Sequence, residues 1–204
     1  MSILTIYYCE MARPSIKQER TEEILDAFEI CVAKYGVEGS TLEKIAEQAG
    51  LRRSLLRHYI GNREALLSSL VKRFINKSHQ QSDYMKSLTI SQPAHVLIDF
   101  LYNRSAEQNM FALTAQSLII AANERDDLKN TLKIWMEDFV ETLEDILRTI
   151  HKNNTDENYK SIAVGIAGIY SNYASLAPLG GLSGLEGPSR KASEYLINSL
   201  DESQ

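Results

Sequence analysis

Apolar residues recur every three to four positions along most of the chain, the period of a helix with one buried face. Ile24, Ala27, Phe28, Cys31, Val32 and Tyr35 form one such stripe, which predicts a helix over Ser15–Tyr35 stopped by Gly36. Leu42, Ile45, Ala46 and Ala49 form a second, shorter one over Ser40–Ala49. Ser40 with Glu43 fits a capping box at its start, and Gly50 supplies a tight reversal. Leu51, Leu55, Leu56 and Tyr59 gather on one side of a third helix running to about Ile60. Asn62 is placed to cap a fourth, Arg63–His79, with Leu66, Leu67, Leu70, Val71 and Phe74 inward.

The remainder is read more coarsely. Ser91-Gln92-Pro93 opens a helix to about Ser105, and another spans Asn109–Ala122. The longest runs from Glu124 to His151, with Leu128, Leu132, Trp135, Phe139, Leu143, Ile146 and Ile150 at helical spacing and Asn153-Asn154 ending it. A helix from Glu157 to about Leu176 is dense in small and aromatic residues. A turn holding Gly180, Gly181, Gly184 and Gly187 leads to a last helix from Pro188 to Leu200. The expected architecture is all-α, with about nine helices. Residues 1–14 form an arm, 15–62 a three-helix head and 63–204 a larger helical body.

Composition narrows this little: 204 residues, 44% hydrophobic and 24% charged, with four prolines and ten glycines, too few for a loop-rich β protein. Charge changes the picture more. The net charge is −5, yet residues 11–63 hold nine Lys/Arg against eight Asp/Glu, while residues 64–204 hold thirteen against eighteen. Attraction to a polyanion must therefore come from a local patch, Arg52, Arg53, Arg57 and Arg63, and must be salt-dependent.

That patch carries the chemistry. Arg53 and Arg57 lie one turn apart on the side of the third helix opposite its leucines, with Ser54 beside them. Guanidinium groups suit phosphates and the O6/N7 edge of guanine. Two short helices joined by a glycine turn, the second basic on its outward face, make a helix-turn-helix.

The run Thr41, Ile45-Ala46, Ala49-Gly50 and Gly61-Asn62-Arg63-Glu64-Ala65-Leu66 resembles the DNA-binding domain of the TetR family of transcriptional regulators. The likeness spans roughly residues 20 to 67. The frame is kept without gaps, but Arg57, Tyr59 and Ile60 stand where the family usually has tyrosine, histidine and phenylalanine. The resemblance implies a homodimer joined through the last two helices, a palindromic double-stranded DNA operator, and a small-molecule effector that releases a repressor from it. Arg53, Ser54 and Leu55 would then read bases, and Thr41, Arg52, Arg57, His58, Tyr59 and Arg63 would hold the backbone. The alternative is a helical protein–protein module whose helix-turn-helix binds no DNA.

Other chemistry is sparse. Tyr102, Asn103, Phe111, Gln116, Trp135, Phe139 and Tyr170 are candidates to line an effector cavity, although aromatic residues at this spacing also build ordinary cores. His58, His79, His95 and His151 show no metal-ligand spacing, and the glycine run at 180–184 follows no strand, so no metal or cofactor is expected. No catalytic set is visible, so an enzyme is not expected. Cys9 and Cys31, far apart, suit a reducing cytoplasm, and no apolar run is long enough for a membrane span. Met11-Ala12-Arg13-Pro14 looks like a natural beginning; residues 1–10 either derive from an upstream start assignment or form an arm packed on a partner.

Overall fold

Ser15 opens the first helix by a reciprocal cap. Its hydroxyl accepts from the Gln18 amide (3.2 Å) and its own amide donates to the Gln18 side chain (2.8 Å). The computed structural model in which this is seen describes residues 15–89, 95–179 and 183–201. Helix α1 (Ile16–Gly39) buries Ile24, Ala27, Phe28, Cys31 and Val32. Gly36 interrupts it with φ +73°, and this left-handed step turns buried Val37 back toward the core. Ser40 is not the N-cap of α2 but the C-cap of α1, its amide donating to the Val37 carbonyl (3.3 Å). It is buried and its hydroxyl donates to the Gly36 carbonyl (2.7 Å), fastening the kink.

Helix α2 (Leu42–Gln48) is capped instead by Thr41, whose hydroxyl accepts from the Lys44 amide (3.3 Å). Helices α3 (Arg53–Ile60) and α4 (Arg63–Thr89) follow. The α4 start is as expected, with the Asn62 side chain accepting from the Ala65 amide (2.8 Å). Its end is not: α4 runs ten residues past His79. The apolar stripe of Leu70 and Phe74 continues through Ser78 and Met85, both buried, and the polar serine hid that continuity.

Beyond it come α5 (His95–Tyr102), α6 (Ala106–Ala121), α7 (Asp126–Ile150), α8 (Asp156–Ser175) and α9 (Ser183–Asn198). The proposed opening at Ser91-Gln92-Pro93 lies outside the described residues. Helix α9 starts five residues before Pro188, with Gly184 and Gly187 inside it. The expected break after α7 is present, with Asn153 at φ +71°.

Two apolar clusters hold the helices together. One joins α1, α2 and α3 to α4, α6 and the start of α7, with Phe28, Leu56, Leu66, Phe74 and Leu132 at its centre. The other joins the end of α4 to α5, the second half of α7, α8 and α9 through Met85, Leu101, Leu143, Ile166 and Ile197. Polar contacts also cross from head to body. Ser117 on α6 donates to the Val32 carbonyl (2.9 Å), and buried Glu29 on α1 accepts from Lys77 on α4 (2.9 Å). Gly165 lets α8 approach α9 so closely that a Cβ there would meet Leu196 at 2.9 Å. Among the described residues no helix is long and apolar enough to cross a membrane, and no group of acidic, His or Cys side chains could hold a metal ion.

Candidate functional site

The turn between α2 and α3 is fixed by its backbone. Gly50 takes φ +64°, which lets its amide donate to Glu47 (3.1 Å) and the Leu51 amide donate to Ala46 (2.9 Å). These two bonds make a Schellman motif, so the carbonyls ending α2 are satisfied as the chain reverses. Leu51 then packs on the first core cluster and α3 leaves at a set angle.

Leu56 anchors α3, being 1% exposed, while Tyr59 and Ile60 pack beside it half-buried. Leu55 departs from the expected underside: it is 41% exposed and faces outward with the polar residues. Arg52, Arg53, Ser54, Arg57 and His58 are all exposed. Arg53 forms an ion pair with Glu43 on α2. Arg52 and Arg57 have no ion pair among the described residues. Arg52 occupies the N-cap position without a side-chain cap bond, so the first amides of α3 lack a side-chain acceptor. Thr41 is exposed beside this face while its hydroxyl caps α2.

Arg63 differs from the others. Its Nη2 donates to the Val37 carbonyl (2.7 Å) and pairs with Glu38 (3.1 Å), tying the start of α4 to the end of α1. Arg125, from the α6–α7 connection, grips Glu64 with both Nη atoms (2.7 and 3.2 Å) and reaches Glu38 at 3.8 Å. Its partner holds the Glu64 carboxyl below its usual range. The end of α1, the start of α4 and the α6–α7 connection are therefore linked through Arg63 and Arg125.

In the body, Phe111, Trp135, Phe139 and Tyr170 come together around a cavity of about 50 Å³, with Met85 and Phe100. The Trp135 indole donates to Ser78 (2.8 Å), and Phe74 stacks on Phe111 at 4.4 Å behind it. Tyr102 is elsewhere, buried with its hydroxyl 2.8 Å from that of Ser193 and its acidity weakened by burial. Asn103 lines an open groove of about 440 Å³ outside the cavity, and Gln116 lines neither. Three residues that matter here have roles that escape a reading by motif. Glu43 is read by motif only as a capping residue, and its pairing with Arg53 is seen only once α2 and α3 are placed. Ser78 interrupts an apolar stripe. Phe100 becomes visible as a flank residue once Leu97, Ile98, Leu101 and Tyr102 are assigned to the buried face of α5.

The chain matches no family model. It is 19% identical over 157 residues to the HTH-type transcriptional regulator BetI of Paraburkholderia phymatum, spanning 77% of this chain and 72% of that protein. Solved structures agree in fold. A TetR-family regulator from Mesorhizobium loti is 16% identical with a TM-score of 0.67, covering 91% of this chain and 98% of that one. The fatty acid degradation regulator FadR of Bacillus halodurans is 16% identical at TM-score 0.65, with 89% and 96% covered. SmeT, solved in complex with triclosan, is 21% identical at TM-score 0.65, with 89% and 91% covered. This all-α chain thus has the fold of the TetR-family transcriptional regulators.

Proposed function

We propose that the chain is a homodimeric, cytoplasmic DNA-binding regulator, a repressor of a palindromic operator that a small-molecule effector releases. The observation carrying this reading is the outward face of α3, where Arg52, Arg53, Ser54, Leu55, Arg57 and His58 stand exposed above buried Leu56. An eight-residue helix presented this way fits a major groove, and its mate in a dimer would enter the next half-site about one turn away, ~34–36 Å. Arg53, Ser54 and Leu55 read base edges, Leu55 by contact with a thymine methyl. Thr41, Arg52, Arg57, His58 and Tyr59 hold phosphates, helped by the uncapped amides of α3. Arg63 reaches phosphate only with the charge left over from its bonds to Val37 and Glu38.

The dimer forms through α8 and α9. Their close packing at Gly165 and Leu196 leaves Val164 and Tyr195 more than half exposed, and a second copy would cover these apolar residues. The effector enters at the aromatic cavity, and the SmeT–triclosan complex supports a small molecule in a body of this kind. Effector binding favours a head spacing that no longer matches the operator. The effector then lowers DNA affinity by the factor by which DNA lowers effector affinity.

A salt titration tests the reading. Anisotropy of a labelled duplex carrying the region upstream of the coding sequence should give binding whose logarithm falls linearly with the logarithm of salt concentration. A protein whose helix-turn-helix serves only protein contacts gives no duplex binding and no slope.

A further inference from the structure

Phe100 and Gln81 line both the aromatic cavity and the wider groove, so the two volumes meet there. Arg104 lines neither volume but touches a residue of each. Its guanidinium carbon lies 5.7 Å from the ring centre of Tyr170, a cavity residue. Its Nη2 donates to the carbonyl of Gln108, a groove residue (2.7 Å). Its Nε is buried and has no hydrogen-bond partner among the described residues. No carboxylate lies within 4.0 Å of it among the described residues. The other arginines of residues 63–204, Arg63, Arg73, Arg125, Arg148 and Arg190, each hold at least one carboxylate.

A buried donor without an acceptor is costly, and a cation braced on an aromatic face is positioned without being neutralised. The other charged residues of the groove do not answer it. Lys77 is taken by Glu29, and Glu107 makes no pair with Arg104. A guanidinium that offers its Nε–H and the remaining hydrogens of its Nη atoms suits a carboxylate. We infer that the site takes an amphipathic organic carboxylate. Its apolar portion lies against Phe111, Trp135 and Phe139 and its acid group rests on Arg104. The 50 Å³ cavity is too small for such a molecule, so binding would require the Phe100 side chain, which lines both volumes, to move and join cavity to groove. This inference rests on the reading of the cavity as the effector site.

Trp135 lines the cavity and is the only tryptophan in the chain, so its fluorescence reports filling directly. The probes are 4-phenylbutyrate, 4-phenylbutanol and 4-phenylbutylammonium, one apolar part with three head groups. The full-length protein should bind the carboxylate at least about tenfold more tightly than the alcohol, and the ammonium least, as a charge-assisted bond predicts. Arg104→Met should abolish that preference while leaving the alcohol's affinity within about twofold, and Arg104→Lys, which keeps the charge, should retain part of it. Circular dichroism confirms that each variant folds, and the ranking in the unmodified protein decides even if Arg104→Met does not. Equal affinity for carboxylate and alcohol, unaltered by Arg104→Lys, overturns the anion assignment and leaves the cavity standing as an effector site. No response of Trp135 to any of the three overturns both.

Discussion

Arg53 on α3 is paired with Glu43 on α2 across the Gly50 turn, with the two side chains 52% and 59% exposed. The arginine that the proposed function assigns to a base edge is thus held by a carboxylate that bound DNA would have to displace. The Glu43 carboxyl is held below its usual range, chiefly because its own backbone amide donates to it, with Arg53 and Thr41 adding to the effect. At neutral pH the competition is therefore fully present.

Glu43→Gln should strengthen duplex binding by about two- to fivefold, the range open to an exposed pair. The gain should shrink as salt is raised, because the same ions screen the pair. Anisotropy titrations at two salt concentrations check both statements. Weaker binding by the variant would mean that the carboxylate positions Arg53 for DNA and does not restrain it.

Arg63 fastens α4 to the α1 kink, so its removal should be felt without DNA. Arg63→Ala should lower stability by about 1 kcal/mol, since a partly exposed guanidinium loses a carbonyl and a carboxylate at once. For a chain of this size that is about 2–4 °C in Tm. Thermal unfolding by circular dichroism measures it. The same variant should weaken cognate and random duplexes by a similar factor, because the proposed role of Arg63 is to hold the head and add charge toward phosphate, neither of which depends on base sequence.

The Glu64–Arg125 link gives a pH dependence of definite sign. The folded carboxyl sits below its unfolded value, first because Arg125 donates to it. The link therefore contributes at any pH above the unfolded carboxylate value, about 4.3, and is lost as pH falls through the lower folded value. Comparing unmodified protein with Glu64→Gln across pH 3 to 7 should show two melting curves that converge only at the acid end. A constant gap at every pH would mean that shape, and not charge, sets the effect.

How much of this was legible beforehand follows from which signals are local. The Gly50 turn, the buried underside of α3 and the cap at Asn62 could be read because each depends on a few neighbouring residues. The α2 cap was misplaced by one residue: Ser40 and Thr41 are both plausible caps, and only the Gly36 kink decides that Ser40 turns inward. Leu55 was misassigned because an eight-residue helix samples too few turns to separate adjacent leucines. The α4 extension failed for a tertiary reason, Ser78 serving as acceptor for Trp135 fifty-seven residues away. Four of seven proposed cavity residues converge; Tyr102 turned toward α9, and nothing near it in sequence announces Ser193.

The α8–α9 contact offers a separable probe of the dimer. Gly165→Ala should be close to neutral: the methyl meets the movable end of Leu196, and alanine favours helix by about 1 kcal/mol. Gly165→Val adds bulk that the side chain cannot evade and should cost about 1–3 kcal/mol while shifting α9. Sedimentation of the two variants should show an intact dimer for alanine and a weakened one for valine. Two unaltered dimers would place the interface elsewhere.

The central claim is that the outward face of α3 reads base pairs through Arg53. It is tested most directly by selecting bound sequences from a pool of random duplexes with the unmodified protein and with Arg53→Ala. The prediction is a palindrome with half-sites about one helical turn apart, and in the variant a loss of preference at one position per half-site worth about 1–3 kcal/mol. Selection of the same motif with the same stringency by both proteins would contradict the account.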